Sequence, residues 1–186
     1  MKRLFDLLLC SLSLVIFSFV MITIAITIRL TSKGKILYWS DRVGKNNRIF
    51  EMSKFRTMHI NTPVMATHKM KNPTEFLTPI GGILRKNSLD ELPQLFSILK
   101  GDMSFVGPRP ALFNQDELIA LRTKKGVDKL VPGLTGWAQV NGRDELQVPE
   151  KVAWEVDYTE RQSFWFDMKI LWLTCLQVIK RDDVSH

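Results

Sequence analysis

A chain of 186 residues has room for one globular domain and an appendage. Its 26 Lys and Arg outnumber 19 Asp and Glu, a formal charge of +7 that suits anionic partners: phosphates, nucleic acid or an anionic membrane surface. Two distant cysteines in apolar contexts, Cys10 and Cys175, argue against a disulfide framework, and three histidines without ligand spacing argue against a structural zinc.

Leu7 to Ile28 carries no charged residue. As a helix at ~1.5 Å per residue this run extends about 33 Å, enough for a hydrocarbon core of ~30 Å. It is too long for a signal peptide and lacks a small-x-small cleavage site after it. No polar face interrupts it, unlike a soluble amphipathic helix. We therefore read residues 1–30 as a membrane anchor and 31–186 as a separate body. Lys2 and Arg3 precede the run, and Arg29, Lys33, Lys35, Arg42, Lys45 and Arg48 follow it. The heavier C-terminal flank puts the body in the cytosol. Residue chemistry alone favours a straight span, since no Pro or Gly marks a break. Basic residues at both ends also suit a re-entrant hairpin.

Gly34 ends the helix, and Ile36 to Trp39 reads as a short strand followed by a turn over 41–47. Arg48 to Met58 alternates roughly as a strand, with Lys54 and Arg56 on one face and Phe55 on the other. Two cations on one face are either solvated or a phosphate clamp. Asn61 to Thr78 is polar and periodless, a long loop of the kind that forms lids. Pro79 opens a helical stretch over 80–86.

Arg85-Lys86-Asn87-Ser88-Leu89-Asp90-Glu91-Leu92-Pro93-Gln94-Leu95-Phe96 holds two cations, two adjacent carboxylates and a helix start. Ser88 and Glu91 have capping-box spacing. With Asp90 near the cap instead, Pro93 falls in the first turn, where its missing N–H costs nothing. Leu92, Leu95, Phe96 and Leu99 form the predicted apolar stripe, ended by Gly101. A helix N-terminus favours phosphate and an ionised Asp90. A carboxylate there is a cap or a nucleophile, and Glu91 beside it is a candidate Mg²⁺ ligand.

Pro108 and Pro110 bracket Arg109 and place its backbone rigidly, which suits bidentate phosphate binding by the guanidinium; an exposed turn is the other reading. Asn114 to Lys125 is an amphipathic helix with Leu118 and Leu121 inward. Pro132 to Arg143 reads as a loop and short strand ending in an Asn-Gly turn. Val152 to Thr159 is a short helix. The aromatic-rich stretch from Phe164 to Ile179 is a C-terminal helix, either buried or lying in a membrane interface through Trp165 and Trp172.

Lys54-Phe55-Arg56-Thr57-Met58, Ser88 to Leu95, Lys100 to Pro110 and Pro132 to Arg143 occur in the order seen in one family. The chain resembles the small monotopic bacterial phosphoglycosyl transferases, or bacterial sugar transferases, over nearly its whole length. The resemblance implies an α/β, mainly helical fold: a membrane helix or re-entrant hairpin, then a compact membrane-surface catalytic domain with interfacial helices and a few short strands. It implies an enzyme of the bacterial inner membrane with its catalytic domain on the cytosolic face. That enzyme moves a sugar 1-phosphate from a UDP-sugar to polyprenyl (undecaprenyl) phosphate, releasing UMP and starting a surface polysaccharide or glycoconjugate. Asp90 is implied as the nucleophile that becomes phosphoglycosylated, with Glu91 its dyad partner and Mg²⁺ at both. Arg56, Arg85 and Arg109 are implied phosphate ligands, and Arg143 a nucleotide-sugar ligand.

The chain departs from the family pattern twice. Ser18-Phe19 stands where family anchors carry Ser-Pro, which bears on the re-entrant bend. Val131 stands where Arg often precedes Pro-Gly, leaving Lys129 as a substitute cation. The likeness of the body favours the re-entrant form. A catalytically silent, membrane-tethered scaffold among pathway glycosyltransferases is the alternative, opposed by intact Asp90, Glu91, Arg85 and Arg109. Nucleic-acid binding finds no basic stripe with stacking aromatics.

Overall fold

The computed structural model describes residues 1–60, 62, 72–142 and 146–179. Most of the polar loop over 61–78 and the terminal Lys180-Arg181 thus lie outside the described residues. The fold is mainly helical with a few short strands, as the resemblance implied.

Helix α1 (Lys2–Thr31) is unbroken and long and apolar enough to cross a membrane. Its hydroxyls turn inward on its own backbone: Ser18 Oγ donates to the Val15 carbonyl at 2.7 Å, and Thr23, Thr27 and Thr31 each donate one turn back. Such polar groups need no outside partner in lipid. Both ends of α1 sit on the body. Near the start, Cys10 is fully buried and Asp6 accepts from Ser104 Oγ (2.8 Å) and the Phe105 N–H (3.2 Å). Lys2 Nζ reaches Asp167 (2.6 Å), and Arg3 donates to the carbonyls of Ile98 and Leu99. Near the end, Ile24 and Ile28 pack with Phe55 and Leu84. Between them Val15, Ile16, Phe17, Ser18 and Phe19 are all exposed. Five consecutive exposed residues exceed one turn of ~3.6 residues. The middle of α1 therefore stands clear of the body while both ends are held to it.

Strands β1 (Leu37–Val43) and β2 (Ile49–Phe55) form an antiparallel hairpin. Its 3-10 turn, Lys45–Asn47, places Asn46 and Asn47 at positive φ, which asparagine tolerates. Strand β1 is longer than the sequence suggested, running through Asp41 to Val43 because β2 pairs with it to Ile49. Helices α2 (Gly81–Lys86) and α3 (Gln94–Lys100) flank a 3-10 turn, Leu89–Glu91. Strand β3 (Ser104–Val106) leads to β4 (Ala111–Leu112), which joins the hairpin beside β1. Helix α4 (Asp116–Lys125) precedes β5 (Gly133–Thr135), parallel to β3. Helices α5 (Trp137–Gly142), α6 (Val148–Arg161) and α7 (Phe164–Ile179) close the body. Asn141-Gly142 ends a helix, not a hairpin, since Asn141 Nδ2 donates one turn back to the Trp137 carbonyl.

The main core gathers Cys10, Met52, Leu95, Ile98, Met103, Phe105, Val106, Tyr158, Phe166 and Ile170. On α3 the inward pair is Leu95 and Ile98. Phe96 and Leu99, predicted in the apolar stripe, are 53% and 41% exposed. The helix begins at Gln94, and its inward face is the one that meets α1 and β2. A bidentate Arg122–Glu155 pair, almost wholly buried, ties α4 to α6. Leu118 is buried and Leu121 packs beside the same cluster, as their spacing predicted.

Candidate active site

Ser88 sits at φ 51°, the left-handed region, and turns the chain sharply out of α2. The 3-10 turn that follows packs the half-buried Leu89, and Leu92 just after it, against Phe55 and Leu84. Those contacts leave Asp90 and Glu91 to face elsewhere. Pro93, which has no N–H to satisfy, caps α3, so neither Ser88 nor Asp90 is the cap. The dyad lies on the turn before the helix.

Glu91 Oε1 accepts from Lys54 Nζ at 2.6 Å and from Arg109 Nη2 at 3.1 Å. Two cations, one on β2 and one on the Pro-bracketed loop, converge on one oxygen. Burial alone would raise the Glu91 pKa, but Lys54 and then Arg109, by charge and hydrogen bond, hold the carboxyl far below the ordinary range. It is ionised at working pH and is no proton donor. Asp90 behaves oppositely. It is 8% exposed, and burial raises its pKa against Lys54; Glu91 adds to the rise and Arg85 opposes it. Arg85 is itself lowered by burial and steadied by Asp90, and its Nε donates to Thr57 Oγ1 at 2.9 Å. Asp90, Glu91, Arg85 and Arg109 thus share one site.

Arg109 is positioned by glycine. A Cβ on Gly107 would lie 2.4 Å from the Val131 carbonyl oxygen, and one on Gly136 would lie 2.1 Å from the Gly107 carbonyl oxygen. The β3 and β5 backbones touch there, two residues before the arginine. At the Val131 departure the backbone carbonyl packs on Gly107, while Lys129 is exposed.

Arg56 stands apart. It is 7% exposed, and its guanidinium donates to the Lys33 and Ser32 carbonyls and to Ser32 Oγ (2.8 Å). It holds the turn that follows α1. Arg143 lies outside the described residues. Lys54, singled out in the sequence only as a strand-face cation, proves to be a partner of the dyad. Alternation placed its face, but what lay opposite was 37 residues away.

Among the described residues no cluster of three or more His, Cys, Asp or Glu could hold a metal by protein ligands alone. Mg²⁺ needs no such cluster, because it keeps waters and takes one or two carboxylates plus substrate phosphate oxygens. Asp90 and Glu91 would supply its two carboxylates, Glu91 through the oxygen other than the one on which Lys54 and Arg109 converge. The burial that raises the Asp90 pKa is the cost a cation beside it would relieve.

The profile of the family described as bacterial sugar transferase matches residues 1–181. An uncharacterised sugar transferase of Bacillus subtilis is 39% identical over 100% of this chain and 91% of its own length. The UDP-glucose:undecaprenyl-phosphate glucose-1-phosphate transferase of Escherichia coli is 37% identical over 94% of this chain and 39% of its own. The undecaprenyl-phosphate galactose phosphotransferase of Salmonella typhimurium is 35% identical over 98% and 41%. The chain thus spans about two-fifths of the length of several curated relatives it matches.

Proposed function

Because the chain belongs to the bacterial sugar transferase family, we propose that it transfers a sugar 1-phosphate from a UDP-sugar to polyprenyl phosphate at the membrane surface. The observation that carries this is the dyad turn: a buried Asp90 beside a Glu91 on which Lys54 and Arg109 converge. Relatives named for UDP-glucose and undecaprenyl phosphate support the substrate classes.

Asp90 Oδ attacks the sugar-bearing phosphorus of the UDP-sugar. The bond from that phosphorus to the bridging oxygen breaks, and UMP leaves with the electron pair. An oxygen of polyprenyl phosphate then attacks the same phosphorus, and the Asp90 carboxylate leaves. Neither step requires a protein proton donor, which agrees with an ionised Glu91. Positioning and charge neutralisation carry the catalysis. Lys54, Arg85 and Arg109 bind and orient the phosphates, and Arg143 contacts the nucleotide sugar. Asp90 and Glu91 would hold Mg²⁺, which would neutralise phosphate charge.

The acceptor is embedded in lipid and the donor is soluble, so the site belongs at the interface. Lys2 and Ser32 lie on the same body at opposite ends of α1. With both ends held there, α1 stays on one face of the bilayer and does not cross it, its exposed middle dipping into the near leaflet. Trp165 and Trp172, 80% and 66% exposed on α7, rest in the interface. By the positive-inside rule both basic flanks of α1, and the body with them, lie on the cytosolic face of the inner membrane.

The test is UMP release from a panel of UDP-sugars with polyprenyl phosphate present. Release is expected with one or a few sugars and is lost, by 10³-fold or more, in Asp90→Asn. Normal turnover by that variant would remove Asp90 as nucleophile.

A further inference from the structure

The β1–β2 hairpin carries two neighbouring aromatics, and register sends them to opposite faces. Trp39 pairs across the hairpin with Ser53, and Tyr38 pairs with Lys54. Directly opposed residues share a face, with Cβ atoms ~4.5–5.5 Å apart. Trp39 lies on the face of Leu37 and Phe55, which packs on the end of α1, and it borders a concavity with Arg29 and Lys35. That is the face turned to α1. Tyr38 lies on the other face, beside the lysine that grips Glu91 at 2.6 Å.

Tyr38 is 42% exposed, and among the described residues its hydroxyl has no hydrogen-bond partner and its ring no aromatic contact. An exposed tyrosine on the face turned to α1 would need no explanation. One beside Lys54, which reaches the dyad through Glu91, is placed for a ring that follows a phosphate. Resting on the reading of the site as a UDP-sugar site, we propose that Tyr38 is the platform on which the uracil ring stacks. The diphosphate then lies over Lys54 and Arg109, and the base returns along the hairpin onto the phenol face. Aromatic stacking tolerates this arrangement without hydrogen-bond partners on the ring.

UMP retains the base and one phosphate but neither the sugar nor the lipid, so it isolates the contact. The experiment uses the full chain in detergent and measures the dissociation constant of UMP alone, the KM for UDP-sugar and the KM for polyprenyl phosphate. Tyr38→Ala should weaken UMP binding and raise the UDP-sugar KM together, each roughly tenfold. Tyr38→Phe should restore both, since stacking needs the ring and not the hydroxyl. The polyprenyl phosphate KM should hold in both variants. A raised UDP-sugar KM with unchanged UMP affinity would put the sugar, not the base, on Tyr38 and overturn the proposal. A change confined to the lipid KM, or none at all, overturns it too. If Tyr38→Ala loses its thermal transition, Tyr38→Leu supplies the same comparison. Native protein that turns over a UDP-sugar while Tyr38→Ala binds UMP normally sinks only the platform. Native protein that neither binds UMP nor releases it sinks the transferase reading as well.

Discussion

At Asp90, burial raises the carboxyl pKa and Lys54 lowers it, and burial prevails. A carboxyl whose pKa is higher folded than unfolded binds its proton more readily when folded. Ionising it therefore costs stability above the folded pKa and nothing below the ordinary value of 3.8. Asp90→Asn keeps the shape and removes that cost. We expect the variant to melt above the native protein at pH 7–8, by about 2–4 °C per kcal/mol recovered. The gap should close as pH falls towards the ordinary carboxyl range. Thermal melts across pH measure this, and equal or lower melting of Asp90→Asn at neutral pH would show that the lost attraction to Lys54 outweighs burial. Glu91 has the opposite linkage. Its depressed pKa adds stability above the ordinary carboxyl range, lost only as pH falls through the folded value.

Among the elements, the turn before α3 shows both the reach and the limit of sequence reading. Adjacent carboxylates, Arg85 before them and Arg109 after them were legible, and the structure brings all four to one site. The cap was not, because Ser88 takes a left-handed conformation that its side chain does not announce. Lys54 was legible as a strand-face cation but not as a partner of Glu91, since hairpin register and turn packing together set that contact. Arg56 shares its strand face yet turns to the chain leaving α1. A Cβ on Gly34 would lie 2.2 Å from Arg56 Nη1, so the turn closes on the guanidinium only because that residue is glycine. Arg56→Lys cannot bridge two carbonyls and a hydroxyl at once. We expect it to destabilise the fold by about 2 kcal/mol, roughly a 4–8 °C loss, while the UDP-sugar KM changes less than twofold. A tenfold rise in that KM with native melting would return Arg56 to the phosphates, as its motif first implied.

On the scale of the whole molecule, α1 is long and apolar enough to cross a membrane and is also part of the core. Its apolar run was plain in the sequence, but its path was not. Composition alone favours a span, and proline's absence at Phe19 supports that reading. What the run cannot show is that Asp6 and Cys10 are buried in the same body as Ile24 and Ile28. A cysteine placed ahead of Met1, in a Cys175→Ser background, tests the path in intact cells with a membrane-impermeant maleimide. Labelling should appear only after the inner membrane is opened. Labelling of intact spheroplasts would mean a span and would detach Lys2 and Arg3 from their partners.

The proposed covalent intermediate on Asp90 is tested most directly by withholding the acceptor. Incubated with UDP-sugar labelled in the sugar and no polyprenyl phosphate, the protein should release at most one UMP per site and retain one labelled sugar phosphate. Digestion should place that label on the peptide containing Asp90, and added polyprenyl phosphate should discharge it into lipid. UMP release that begins only when acceptor is added, with no label on the protein, would exclude a covalent intermediate on Asp90.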